Sequence, residues 1–182
     1  MKQESIFAYL DVKAFAQAAS TRSGRNLLSD FERLMHETEG LGADQPLDWS
    51  ARGELRMDPA GSEQVWLHLR LKTNVPLTCQ RCLNPVNISV AENRAYRFVG
   101  SEEEAREQDE TAEEDVLALG QDFNLAALIE DEVLMALPLI GAHETCPVEV
   151  KLAVADPGFD TGATEKSNPF AVLAKLKGGK SS

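Results

Sequence analysis

Hydrophobic and polar residues alternate along the middle of the chain, a pattern typical of half-buried β-strands. The alternation runs through residues 47–57, stops at the turn signal Asp58-Pro-Ala-Gly61, and resumes through residues 65–77. A third alternating run begins at Val86 and continues towards Phe98. The pattern therefore predicts three or more antiparallel strands, and a further short strand at residues 116–119.

The spacing becomes helical near both ends of this strand region. Residues 11–38 predict two short helices, separated by the polar residues 20–26. Asp11 is a suitable N-cap for the first helix, and Ser29 and Glu32 have the spacing of a capping box for the second. Apolar positions from 125 to 137 also recur at helical spacing, and Pro138 is expected to end that helix.

These patterns predict an α+β fold, in which an antiparallel sheet carries an N-terminal helical segment and one packed helix at about 124–137. We expect residues 1–150 to form a single domain. The acidic run 101–115 has nine carboxylates and little to bury, so we expect a mobile loop there. Residues 151–182 are predicted to be an extended tail with a short helix at 168–177, which begins with Asn-Pro.

The chain is strongly acidic, with a formal net charge of -12. Its body is therefore a poor electrostatic match for nucleic acid and favours a basic partner. The end of the tail differs, because residues 166–182 contain four lysines and no acidic residue. A small basic patch able to contact a partner or RNA is therefore expected at Lys166, Lys175, Lys177 and Lys180, although a solvated helix end explains the same lysines.

Cysteine content and hydropathy indicate the compartment. Three cysteines cannot all pair, and the first residues lack the long apolar run of a signal peptide. No stretch approaches the roughly 18 apolar residues that a membrane-spanning helix needs. We therefore expect a reduced, soluble, cytoplasmic protein without a membrane partner.

Two pairs of soft ligands stand out, Cys79-x2-Cys82 and His143-x2-Cys146. Four such ligands suit tetrahedral zinc, and a site with all four positions filled by protein is structural. Ordering the interval of about 60 residues between the pairs costs about 3.6 kcal/mol, whereas a structural zinc site supplies ~10–16 kcal/mol. The alternative is that the cysteines are small apolar residues in a turn and the histidine belongs to a loop.

The sequence offers little for catalysis. Redox CxxC pairs usually begin a helix, whereas Asn84-Pro85 and a predicted strand follow Cys82. Carboxylates at 130–132 fan out around a helix, so we interpret them as a solvated face. The chain has no GxxxxGK[ST], GxGxxG, GxSxG or HExxH motif. A non-enzymatic protein is favoured, and the alternative is an RNA-processing or thiol-redox enzyme that uses Cys79 and Cys82.

Several segments resemble the YceD family of large ribosomal RNA subunit accumulation proteins. They are CQRCLNPV at 79–86, the acidic insert, DFNLAALIEDEVLMALPLIGAHETC at 122–146 and NPFAVLAKLK at 168–177, together with FAQAASTRSGRNLLSDFERL near the start. The resemblance implies a bacterial cytoplasmic factor needed for accumulation of 23S rRNA, and it supplies no catalytic residues. Combined with the charge, it predicts a large-subunit ribosomal protein or pre-ribosomal particle as partner.

Overall fold

A five-stranded sheet dominates the computed structural model, which describes residues 9–120 and 123–150. Its strand order is β2-β3-β4-β5-β6. The bounds are β2 Thr21–Leu27, β3 Pro46–Met57, β4 Glu63–Thr78, β5 Pro85–Val99 and β6 Asp115–Ala118. Strands β2 to β5 are antiparallel neighbours, whereas β6 is parallel to β5. A second, antiparallel pair consists of β1 (Tyr9–Leu10) and β7 (Phe123–Asn124).

Four α-helices accompany these strands in the described residues. Their bounds are α1 Val12–Gln17, α2 Glu32–Glu37, α3 Glu102–Asp109 and α4 Leu125–Ala136. The Ala127 amide donates to the side chain of Asn124 at 3.0 Å, which caps α4, and the helix ends just before Pro138. The predicted α+β fold, its antiparallel strands and its helix at about 124–137 are therefore confirmed.

Helices α1 and α4 pack on one face of the sheet. Ala16 of α1 and Ile129 of α4 belong to the same buried cluster as Ala51, Leu67 and Tyr96 from the central strands. The approach of α1 is very close, because a Cβ added to Gly53 would lie 2.8 Å from the backbone of Ala16. Glycine at this position is what allows α1 to lie directly on β3.

The N-terminal segment differs from the prediction of two helices with a polar break. The polar residues between the helices form β2, an edge strand whose side chains are exposed or half-buried, so no apolar alternation marks it. The second helix begins at Glu32 with Phe31 as N-cap, and not with the predicted capping box at Ser29. The side chain that replaces this cap comes from α4, as described below.

The acidic run 101–115 is not the loop that we expected, because α3 occupies its first half. The Ser101 hydroxyl accepts the Glu104 amide at 3.2 Å, and three glutamates in the first turn suit the positive end of the helix dipole. Ala105 is buried against Val99 and Val116. One small apolar residue therefore anchors a helix that net charge alone disfavours.

The predicted tail at 151–182, with its helix at 168–177, lies outside the described residues. The four lysines of the predicted basic patch lie there too, so that prediction stands as it was made. Across residues 9–120 and 123–150, no helix is long and apolar enough to cross a membrane.

Candidate metal centre

The connection between β4 and β5 folds into a tight knuckle that carries Cys79 and Cys82. The Cys79 amide donates to the carbonyl of Asn84 at 3.0 Å, and the Leu83 amide donates back to the carbonyl of Cys79 at 2.8 Å. Leu83 adopts the left-handed conformation, with φ of 59°. These features reverse the chain within a few residues and bring the second cysteine back beside the first.

The segment that leaves α4 lies against this knuckle. The Gln80 amide donates to the carbonyl of Gly141 at 2.9 Å, and the Arg81 guanidinium reaches the carbonyl of Glu144 at 3.5 Å. Gly141 is buried, and a Cβ there would lie 3.1 Å from Cβ of Leu77. A close backbone approach at Gly141 therefore delivers residues 143–146 to the two cysteines.

The two predicted ligand pairs meet in one cluster. One ligand atom from each of Cys79, Cys82, His143 and Cys146 can be chosen so that all four lie within 4.8 Å of one another. The Cys82 sulfur is 3.4 Å from Nδ1 of His143. Two thiolates on a tetrahedral zinc ion lie about 3.8 Å apart, given Zn–S bonds of about 2.3 Å. The donor set and its spacing fit such an ion, so these four side chains can hold a metal.

His143 is oriented by a contact outside the cluster. Its Nε2 lies 3.1 Å from the carbonyl oxygen of Pro85, at the start of β5. A carbonyl only accepts, so Nε2 carries the proton and donates it. Nδ1, which faces Cys82, is then the unprotonated nitrogen that a metal requires. The β5 backbone thus selects the ligating tautomer.

The cysteines differ in their electrostatic surroundings. Cys79 is fully buried, and burial alone would raise the pKa of its thiol. Hydrogen bonds from the backbones of His143, Cys82 and Arg81 outweigh burial and lower that pKa to about 5. Burial, followed by the neighbouring Cys82 and Cys79, raises the pKa of Cys146. The surroundings therefore favour the thiolate of Cys79 and disfavour that of Cys146.

Carboxylates of α4 that we interpreted as a solvated face are partly structural, so that interpretation is wrong. Glu130 is 8% exposed and accepts the amides of Arg33 at 2.6 Å and Leu34 at 3.1 Å. It also accepts Nε of Arg33 at 2.9 Å. Glu130 thus caps the N-terminus of α2 from another helix, and it fixes α4, whose exit carries two of the ligands.

Glu132 is a second buried carboxylate on α4. Its side chain is 2% exposed and forms an ion pair with Arg94 at 3.4 Å. Burial and the adjacent Glu132 raise the pKa of Tyr96 on β5. Burial of Glu132 could have been predicted from the sequence, because position 132 lies on the same helical face as the apolar residues Leu125 and Ile129. The sheet face beneath α4 is therefore tied to the helix by charge as well as by apolar packing.

Comparison with known proteins identifies the family. The family described as "Large ribosomal RNA subunit accumulation protein YceD" matches residues 67–177. A curated relative of the same name from Haemophilus influenzae is 32% identical over 110 residues, which span 59% of this chain and 63% of the relative. No solved structure matches the chain significantly. Since the family match covers more than half of the sequence, including all four residues of the cluster, the chain belongs to the YceD family.

Proposed function

We propose that this protein is a non-enzymatic factor in biogenesis of the large ribosomal subunit and supports accumulation of 23S rRNA. The family match carries this proposal, because it spans the central strands, the Cys79–Cys82 knuckle and the segment that brings in His143 and Cys146. The matched region therefore contains the complete candidate centre. The relative from Haemophilus influenzae is named for the same role.

Within this role, the four-residue cluster holds a structural zinc ion. All four tetrahedral positions would be filled by protein, which leaves no open position for a substrate or an activated water. The ligands come from two places, the β4–β5 knuckle and the exit of α4. Zinc would therefore fasten the end of α4 to the end of the sheet, and its contribution would be to stability and shape.

The acidic segment suggests the kind of partner. Eight carboxylates of residues 102–115 are exposed, on α3, in the turn that follows it and at the start of β6. Such a surface attracts basic proteins at close range, and ribosomal proteins are typically basic. We therefore propose a basic large-subunit ribosomal protein, free or within a pre-ribosomal particle, as the partner of this segment. Lys166, Lys175, Lys177 and Lys180 remain candidates for a secondary contact with rRNA.

A thiol-redox or RNA-processing enzyme is the second candidate. The lowered pKa of Cys79 favours it, because thiolates are the reactive form. Two features oppose it. Cys79 is 0% exposed, so an external disulfide cannot reach its sulfur, and the knuckle leads into β5 where redox pairs usually begin a helix.

The experiment is depletion of the protein in its native host, followed by measurement of the 23S to 16S rRNA ratio. We expect the ratio to fall and to recover with the wild-type gene. An unchanged ratio would contradict the proposed function. A Cys79→Ser variant separates the two candidates: loss of rescue together with loss of the folded circular dichroism spectrum supports the structural centre, whereas loss of rescue by a folded variant supports an enzyme.

A further inference from the structure

One surface of the sheet is cationic, although the whole chain has a formal net charge of -12. Residues of β2, β3 and β4 that point away from α1 and α4 alternate with the buried ones, and many of them are basic. We call this surface the basic face and define it by Arg25, Arg52, Arg56, Arg70 and Lys72, all of which are exposed.

The strand register places these cations side by side. Arg70 pairs with Ser50 of β3, and Lys72 pairs with Asp48. Residues two apart on a strand are separated by about 7 Å, and neighbouring strands by about 4.8 Å. The basic face is therefore a compact array and not a set of scattered surface charges.

Two carboxylates on the face neutralise only part of it. Asp48 is paired with Arg25, which donates Nε at 2.6 Å and Nη2 at 2.9 Å. Glu54 is shared between Arg56, at 3.1 Å, and Arg52, at 3.4 Å. Five cations against two carboxylates leave a surplus of three positive charges (5 − 2 = 3).

Arg70 and Lys72 carry most of the unbalanced charge. Within the part of the chain that the structure describes, neither forms an ion pair, although Lys72 lies across the ladder from Asp48 and adds to Arg25 in lowering the pKa of that carboxyl. The one side-chain hydrogen bond shown for Arg70 is to the amide oxygen of Asn93, at 3.3 Å. Such guanidinium and ammonium groups bind phosphate readily, because no existing ion pair has to be broken first.

The face is also shaped and uncovered. A shallow depression of about 370 Å³ is lined by three arginines, by His68 and Asn93, by two hydroxyl side chains and by the carboxylate of Glu54. Among the described elements, α1 and α4 pack on the opposite side of the sheet. Helix α3 is on the same side of the sheet as the basic face, but it packs on β5 and β6 at the far edge. A flexible chain can therefore lie across β2 to β4 without displacing a described element.

We propose that the basic face binds single-stranded RNA through its phosphates, and the choice of RNA among polyanions rests on the proposed function. The sheet presents its cations to an extended strand, whereas double-stranded RNA hides its base edges and demands a surface matched to its grooves. Guanidinium planes also stack on exposed bases. The depression thus offers both contacts that sequence-independent binding of a single strand uses.

The acidic α3 segment limits this binding without preventing it. Charges farther apart than about 8 Å are largely screened at physiological salt. A phosphate on the basic face therefore interacts mainly with the surplus positive charge of that face. Arg97 of β5 is held by Glu114 at 2.5 Å and by Gln108, and Glu114 also interacts electrostatically with Arg56 of the basic face. Glu114 is therefore neutralised within the fold, whereas the exposed carboxylates of α3 form no ion pair in the described residues.

Binding is measured with the full chain and a labelled oligouridine of ~12 nucleotides, the length that one compact module covers, by fluorescence anisotropy across a range of salt. The test variant is Arg70→Gln/Lys72→Gln. The matched control is Lys13→Gln/Arg106→Gln, which removes the same charge from exposed helical positions off the face. The logarithm of the binding constant falls with the logarithm of salt concentration, and each lost phosphate contact reduces the steepness of that slope by about 0.7. Loss of two contacts should therefore reduce it by about 1.4 and weaken binding about 25-fold at ~0.1 M salt.

If the basic face binds RNA, the test variant should bind the oligouridine about 25-fold more weakly than the wild type at ~0.1 M salt. The affinity of the control variant should change less than about twofold. Equal losses in both variants, or no binding by the wild type, would overturn it. An oligoglutamate of equal charge that competes as well as RNA would overturn the assignment to RNA. The two proposals can fail separately. A normal 23S to 16S rRNA ratio after depletion would refute the proposed function but not RNA binding by the basic face. A lowered ratio together with no RNA binding by the purified protein would refute only RNA binding by the basic face.

Discussion

Glu130 is expected to be the most important charged residue for stability among those described. Its carboxylate receives two amides from the first turn of α2 and the Nε of Arg33, although it lies on α4. Replacement by alanine leaves the amides of Arg33 and Leu34 without this acceptor. The buried Leu34 amide has no route to water, so its loss of a partner is costly.

The magnitude follows from these contacts. Loss of a helix N-cap costs about 1 kcal/mol, and a buried donor that loses a charged acceptor costs about 2 kcal/mol more. The ion pair with Arg33 adds little, because that guanidinium is 49% exposed. Glu130→Ala should therefore lower the free energy of unfolding by about 3 kcal/mol and the melting temperature by about 6–12 °C. Glu130→Gln keeps one acceptor and should lose about half as much.

The assay is urea unfolding followed by far-ultraviolet circular dichroism. Asp131→Ala is the matched control, since Asp131 pairs with the same Arg33 but is 47% exposed. That variant should lose less than about 1 kcal/mol. If Glu130→Ala and Asp131→Ala lose the same amount, the cap from α4 to α2 does not stabilise the protein and the reasoning is refuted.

Three further predictions concern other contacts. Gly53→Ala places a Cβ 2.8 Å from the backbone of Ala16, so it should destabilise the protein by about 1–3 kcal/mol in urea unfolding, whereas Gly120→Ala should be nearly neutral. Hydrogen bonding to Arg97 lowers the pKa of Glu114 in the folded protein. The resulting stabilisation is present above the pKa that Glu114 has in the unfolded state, and it disappears as the pH falls through its folded-state pKa. The free energies of unfolding of the wild type and Glu114→Gln should therefore converge in acid. A chelator should lower the melting temperature of the wild type but not that of Cys146→Ser.

Much of the fold could be predicted because the sheet is buried on one side only. Burial alternates through residues 46–54 of β3 and 67–75 of β4, so a period of two appears in the sequence. Strand β2 does not, because it lies at the edge of the sheet and its residues are exposed or half-buried. Edge strands are specified by the backbone of their neighbour, and that information is not local.

Helix α3 was missed for a different reason. Its composition is that of a solvated loop, but the cap at Ser101, the glutamates of its first turn and the single buried Ala105 are together sufficient. The order in which charges occur was more informative than their number.

The candidate centre was predicted in its residues but not in its geometry. Spacing identified the two ligand pairs, whereas their meeting depends on Gly141 approaching Leu77 and on the Pro85 carbonyl orienting His143. The basic face was missed because its cations are spread singly along three strands. Only the strand register brings them together, and the net charge of -12 pointed away from them.

Native mass spectrometry of the full chain, purified from zinc-supplemented medium without chelators, measures directly whether the four-residue cluster holds zinc. The Cys79, Cys82, His143 and Cys146 cluster predicts one zinc ion per chain in the wild type, and none in Cys79→Ser/Cys82→Ser. A folded wild-type chain that carries no zinc, and binds none when it is added, would contradict the account.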